Sequence, residues 1–199
     1  MQAISADTVK ELRELTGAGF MDCKHALEES GGDVQHAVAL LRQKGLAAAA
    51  RKSGREAREG LVASYIHTGG RIGVLIEVNC ETDFVARTDE FQKLARDLAI
   101  QVAGLRPEFV TVDSIPADVL AAKRAELLVD PTVQKKPAAI QGQIVDGQLH
   151  KWQQQVVLYE QPFRDTDQTV SELITQAVAR IGEHIVVRRF TRYELGEEQ

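Results

Sequence analysis

Residues 71 to 79 alternate as a half-buried strand should: Ile72, Val74, Ile76 and Val78 share one face, and Gly73, Leu75, Glu77 and Asn79 the other. Leu61 to His67 reads as a second strand, joined to the first through Thr68-Gly69-Gly70, whose glycines suit a primed hairpin turn. His184 to Tyr193, with Ile185 and Val187 of one parity, is expected to add a third antiparallel strand. Elsewhere the period is helical. Val9, Leu12 and Leu15, then Cys23, Ala26 and Leu27, then Val34, Ala37, Val38 and Leu41 predict three short helices. Thr16-Gly17-Ala18-Gly19 and Ser30-Gly31-Gly32 separate them, and Asp33 caps the third.

Further along, Phe91, Leu94, Ala95, Leu98, Ala99 and Val102 predict a helix opened by Thr88, with Asp89 and Glu90 in its first turn. Pro107 breaks the chain, Glu108 to Val112 reads as extended, and Pro116 opens a helix containing Val119, Leu120, Leu127 and Leu128. From Ala138 to about Tyr159 a narrow stripe of Ile140, Ile144, Trp152, Val156 and Tyr159, crossed by Gly147, predicts a long helix. So narrow a stripe suits a helical hairpin over 117–160 that packs mainly on itself. A last helix follows from Thr169 with Val170, Leu173, Ile174, Ala177 and Ile181, ended by Gly182.

These elements describe an α+β protein: a small three-helix bundle over 1–45, a basic linker over 46–59, and a core over 60–199 with a three-stranded antiparallel sheet, packed helices and the helical hairpin. The linker is alanine-rich, carries Arg51, Lys52, Arg55 and Arg58, and has Ser53-Gly54 in its middle, which predicts partial helix. Its cations alternate with Glu56 and Glu59 and lack aromatic neighbours, so a solvated face suits them better than an RNA platform, which needs rings for stacking.

Composition narrows the function. With 199 residues, 44% hydrophobic and 27% charged, the chain has length enough for a real core and reads as soluble and globular. No run reaches the roughly 18 apolar residues of a membrane span. The amino end, Met1 to Asp7, has no charged start, apolar middle or cleavage site, so no secretion signal is expected and cytoplasmic residence is the default. A net charge of -5 disfavours a general nucleic-acid binder, whose affinity rests on neutralising phosphates, and makes a protein partner easier to justify. Cys23 and Cys80 lack Cys-x-x-Cys spacing and read as buried packing residues. Histidines 25, 36, 67, 150 and 184 share no metal spacing, so neither a metal nor a cofactor is expected, nor an enzyme. Gly69-Gly70-Arg71-Ile72-Gly73 fails as a phosphate cradle, because it lies between two strands and no Lys-Ser or Lys-Thr follows.

The stretch of most interest is Asn79-Cys80-Glu81-Thr82-Asp83-Phe84-Val85-Ala86-Arg87, a polar junction between strand and helix with one large aromatic. Read alone, Phe84 is either a staple packing the helix entry onto the core or a ring held at the surface as a wedge. Thr82, Asp83, Phe84 and Val85 after an Asn-Cys strand end resemble the signature of the bacterial elongation factor Ts family. Leu12-Arg13-Glu14-Leu15-Thr16-Gly17-Ala18-Gly19-Phe20-Met21-Asp22-Cys23-Lys24 is similar to a second signature of that family, on a bundle that resembles the ubiquitin-associated type. The segments Glu160-Gln161-Pro162-Phe163, Ile181-Gly182-Glu183, Val187-Arg188-Arg189-Phe190 and 192–197 also look like it, so the resemblance covers essentially the whole chain.

The resemblance implies a guanine-nucleotide exchange factor for elongation factor Tu, with Thr82, Asp83, Phe84 and Val85 pressed in beside the partner's magnesium and phosphate site. It implies a second contact from Arg13, Phe20 and Met21; on spacing alone Phe20 and Met21 could equally cap the bundle's core, and Arg13 could be a solvated charge. On this reading the chain itself holds no nucleotide, nucleic acid or membrane. It looks like the short form of the family, without a second copy of the strand-helix unit or an extra carboxy-terminal helix. A symmetric homodimer through the exposed edges of the sheet is one way to restore a double grip. Two other classes stay open at this point: an RNA- or ribosome-associated binding protein using the linker, and a thiol enzyme using Cys80.

Overall fold

Strand β1 (Glu59–Ile66), strand β2 (Ile72–Cys80) and strand β3 (Val186–Glu194) form one sheet in the order β1-β2-β3. The computed structural model describes residues 4–164 and 166–197; Met1 to Ala3, on which part of the secretion-signal expectation rests, lie outside them. The sheet is antiparallel, and the N–H of Leu195 bonds the carbonyl of Arg71 where the end of β3 meets the start of β2. The alternation in β2 is realised from Val74 to Val78, with Val74, Ile76 and Val78 buried and Leu75 exposed; it lapses at the end of the strand, where Asn79 and Cys80 are both buried. In the hairpin the N–H of Gly70 bonds the carbonyl of His67, which makes Thr68 and Gly69 the central pair. Only Gly69 of these has positive φ, at 91°, so the turn is not of the primed type expected; the second glycine sits one place further on, at 70°.

The described residues fall into two compact units. The first comprises the chain up to Val62 together with Val78–Ala95 and Glu172–Val186. It begins with helix α1 (Ala6–Thr16), capped by Ser5, whose hydroxyl accepts the N–H of Thr8, and closed by Gly17 at φ 65°. Helix α2 (Phe20–Glu29) and helix α3 (Val34–Lys52) complete the bundle, with Asp33 accepting the N–H of His36 as the expected cap. Val9, Leu12, Cys23, Ala26, Leu27 and Ala37 make its core. Burying Leu12 or Leu27 fully is worth about 1.5–3 kcal/mol each. Leu15, expected inside, is 66% exposed, because the inward stripe of α1 runs Val9, Leu12, Thr16. Helix α3 continues to Lys52, through the first half of the alanine-rich basic stretch.

Within the same unit the bundle rests against the late helix α9 (Val170–Ile181). Arg42 pairs with Glu172, Lys52 donates to the carbonyl of Val178, and Gly45 lies against Ala179. A β-carbon on Gly17 would stand 2.7 Å from the end of the Arg180 guanidinium, a long side chain that can swing aside, so it is φ rather than space that asks for glycine here. Arg180 in turn pairs with Glu90 at 2.6 Å. Glu90 lies in helix α5 (Asp89–Leu105), which buries Phe91, Leu94, Ala95, Leu98, Ala99 and Val102 as its spacing requires.

The second unit comprises Ala63–Glu77, Arg96–Ser171 and the chain from Val187 onward. Helix α6 (Ala117–Val129) packs along helix α8 (Ala138–Val156), with the one-turn helix α7 (Pro131–Gln134) between them. The buried line of α8 is Val145, Leu149 and Val156; of the expected stripe Ile140 is exposed, Ile144 and Trp152 are half-buried, and the helix ends before Tyr159, so only Val156 falls on that line. Gln101 and Gln161, both buried, hold the base of this unit. The amide of Gln161 donates to the carbonyls of Leu105 and Gln155, and that of Gln101 to Pro162 and to the Gln161 side chain. Among the described residues no helix is long and apolar enough to cross a membrane.

Candidate functional site

Strand β2 ends at Cys80, and Glu81 and Thr82 carry the chain into a one-turn helix α4 (Asp83–Ala86). Thr82 caps that turn, its hydroxyl accepting the N–H of Val85 at 3.4 Å. Thr88 closes the far side: its hydroxyl donates to the carbonyl of Val85 at 2.8 Å and accepts the N–H of Phe91, opening α5. Ala86 takes the buried position of the turn and Val85 is half-buried, which leaves Phe84 facing outward at 82% exposure, the highest among the large apolar residues described. A staple must be covered, so that role is excluded for this ring. Asp83 pairs with Arg87 one turn on at 2.8 Å, an exposed contact worth only a few tenths of a kcal/mol.

What fixes the turn lies far along the chain. The Glu183 carboxylate accepts the N–H groups of Glu81 and Thr82, both at 3.0 Å, and the Thr82 hydroxyl at 2.6 Å. In return the Glu81 carboxylate accepts the N–H of His184 at 2.7 Å and meets the Arg55 guanidinium at 3.4 Å. His184 Nδ1 lies 2.8 Å from the carbonyl of Arg55. Gly182, at φ 87°, ends α9 and turns the chain so that Glu183 meets the loop.

The N–H of His184, aided by Arg55, outweighs desolvation and holds the Glu81 carboxyl below the usual carboxylate range. A lowered folded-state value means that the stabilisation is complete above the usual range and is lost as pH falls through the lowered one. Urea midpoints are therefore expected to drop on acidification below the usual carboxylate range, and Glu81→Gln should flatten that acid slope. An unchanged slope in Glu81→Gln would show that other acids carry it.

Cys80 is buried, and its thiol donates to the carbonyl of Thr82 at 3.1 Å. Burial, with the Glu183 charge nearby, pushes the thiol up to about 11. A nucleophilic cysteine needs the opposite shift and access, so the thiol-enzyme reading finds no support here. Iodoacetamide at neutral pH is expected to leave Cys80 and the equally buried Cys23 unmodified in the native chain and to label both in urea, as mass spectrometry would show. Labelling of the native chain would count against this placement.

Thr82, Asp83, Phe84 and Val85 thus share a single turn. Arg13, Phe20 and Met21 belong to the bundle, where they flank the Gly17-Ala18-Gly19 turn: Arg13 is exposed on α1 and its carbonyl accepts the Gly17 N–H, while Phe20 and Met21 open α2 at 47% and 54% exposure. Leu15 is a third large apolar residue left open beside that turn. Sequence reasoning missed Glu183, His184, Glu81 and Arg55 as supports of the turn. The only local signal was Gly182-Glu183 after a helical stripe, which announces a cap without naming a partner.

The family model described as Elongation factor TS matches residues 34–197. The chain is 54% identical over 195 residues to elongation factor Ts of Carboxydothermus hydrogenoformans, covering 98% of this chain and 90% of the relative. With the Anaeromyxobacter sp. protein of that name it shares 56% over 198 residues, covering 99% and 90%, and with that of Caldanaerobacter subterraneus 50% over 195 residues, covering 98% of each. A family match over most of the chain and identities at this level, on a fold of the expected class, lead to one statement: the chain belongs to the elongation factor Ts family.

Proposed function

We propose that this chain is a guanine-nucleotide exchange factor that binds elongation factor Tu and promotes release of its GDP. The observation that carries the reading is an aromatic ring held in the open on a turn braced at both ends, an arrangement that spends stability on exposure. An exchange factor performs no bond chemistry of its own; it works through a coupling free energy, binding the empty partner more tightly than the nucleotide-bound one, and reciprocity requires it to weaken the nucleotide by the same factor. The partner's nucleotide depends on backbone N–H groups at its phosphates and on oxygen ligands around its magnesium. Phe84 entering an apolar slot beside that site, with Asp83 as polar anchor and Thr82 and Val85 keeping the turn's shape, would disturb those ligands. A buried aromatic anchor is worth about 2–4 kcal/mol, enough to weaken the competing ligand by a factor of ~30 or more.

Arg13, Phe20 and Met21 form the second contact of this reading, a charge and two apolar side chains at an exposed corner. Three of the four linker cations that an RNA reading would use are engaged: Arg55 with Glu81, Arg58 with Glu56, and Lys52 with the carbonyl of Val178. Cytoplasmic residence follows from the role in translation. Pairing of two copies along the sheet edge belongs to the same proposal, and a monomeric mass by light scattering at micromolar concentration would remove it. The test of the function is release of a fluorescent GDP analogue from elongation factor Tu with magnesium present. Saturable acceleration with rising concentration of this chain is expected, and its absence would overturn the exchange reading.

A further inference from the structure

We infer that Glu183 is the positioning residue for the Phe84 turn, setting the direction in which the ring is presented; this rests on the exchange reading above. At the end of β2 the N–H groups of Glu81 and Thr82 have left the sheet ladder, and both donate to the one carboxylate oxygen Oε2 at 3.0 Å. The other oxygen, Oε1, takes the Thr82 hydroxyl at 2.6 Å, and that same hydroxyl caps the turn carrying Phe84. One side chain thus fixes two successive backbone donors and the cap. Bonds to a charged acceptor are roughly twice as strong as neutral ones, which suits a brace on an exposed turn.

Glu183 is itself held on both sides. Before it, the Gly182 N–H bonds the carbonyl of Val178; after it, the His184 N–H bonds the Glu81 carboxylate, and the His184 ring meets the carbonyl of Arg55. Glu81 and Glu183 therefore exchange bonds across more than a hundred positions, each carboxylate serving backbone donors at or next to the other. The lever from Thr82 to Phe84 is two residues, at most about 7 Å, and functional constellations need placement within about 0.5 Å. Loosening the root of the turn moves the ring by more than that. The Asp83–Arg87 pair cannot replace the brace, because both of its members ride on the moving segment.

The experiment is a double-mutant cycle on nucleotide release from elongation factor Tu at saturating chain, using wild type, Glu183→Ala, Phe84→Ala and the double variant. Glu183→Ala is expected to lower the acceleration about tenfold, and the double variant to be no slower than Phe84→Ala alone, because Glu183 acts through the ring. In the isolated chain, amide exchange at Glu81 and Thr82 is expected to quicken at least about tenfold in Glu183→Ala, with α5 unchanged. Should that variant lose its cooperative unfolding transition, Glu183→Gln carries the same cycle: it keeps the shape but sets an amide donor against the Thr82 hydroxyl, for an expected loss of about threefold. Losses that multiply in the double variant, or full acceleration by Glu183→Ala, overturn the inference while leaving the exchange reading intact. No acceleration by the wild-type chain overturns the exchange reading and the role of Glu183 with it.

Discussion

Replacing Phe84 by alanine is expected to cut the acceleration of nucleotide release from elongation factor Tu by tenfold or more, a loss of ~1.4 kcal/mol or greater in transition-state stabilisation. The ring is 82% exposed, so its removal opens no cavity and uncovers no core. Its effect on folding should fall within the ±0.5 kcal/mol or so typical of surface positions. Stability and activity therefore separate cleanly at this residue, which is uncommon for a large aromatic. Stopped-flow release traces and a thermal melt on the same preparation would test both halves. Full acceleration by Phe84→Ala would keep the function and move the wedge to Asp83 or to the corner formed by Arg13, Phe20 and Met21.

Gly60→Ala should be the most damaging small substitution for the fold. Gly60 lies in β1 at φ 140°, a conformation that side chains rarely adopt. A β-carbon there would stand 2.1 Å from the carbonyl oxygen of Val78 and 2.8 Å from Cα of Asn79, both of them backbone atoms of β2. Neither can swing aside as a long side chain would. The Asn79 amide, donating to the carbonyl of Glu59 at 3.1 Å, tightens the same crossing. Conformational strain of about 1–3 kcal/mol combined with the clash gives an expected loss of at least about 3 kcal/mol, or roughly 6–12 °C in Tm for a chain of this size. Gly31→Ala is the control: φ is 65° but the space is open, so only the left-handed penalty of about 1 kcal/mol applies. Equal effects of the two substitutions in thermal melts would show that strand contact adds nothing.

The parts of this fold that the sequence announces are those governed by short periods. Val74, Ile76 and Val78 alternate because one face of β2 is buried, and Phe91 to Val102 repeat because α5 covers a core. Both signals are local, and both are realised. Leu15 and Ile140 show where periodicity misleads: each is apolar and close to a stripe, yet Leu15 lies off the inward line of Val9, Leu12 and Thr16, and Ile140 off that of Val145, Leu149 and Val156. Gly60, one place before the expected strand from Leu61, shows no special role until the strand beside it is known. The candidate turn was legible as a junction, from an alternating run followed by Thr88 and a helical one, but spacing could not choose between a covered Phe84 and an open one. Its support was not legible at all, since nothing near Thr82 points to a carboxylate at position 183.

That separation has a consequence during synthesis. The bundle closes from neighbouring helices within its first fifty or so residues, through contacts of short range, so it can form early on the ribosome. The Phe84 turn emerges soon afterwards without its brace. At about 5–20 residues per second, the roughly hundred residues between Thr82 and Glu183 take about 5–20 s to add, and throughout that interval the ring hangs on an unsecured turn. On the exchange reading a nascent chain is thus unarmed until Glu183 has been added, and the piece that arms it is the short link between α9 and β3.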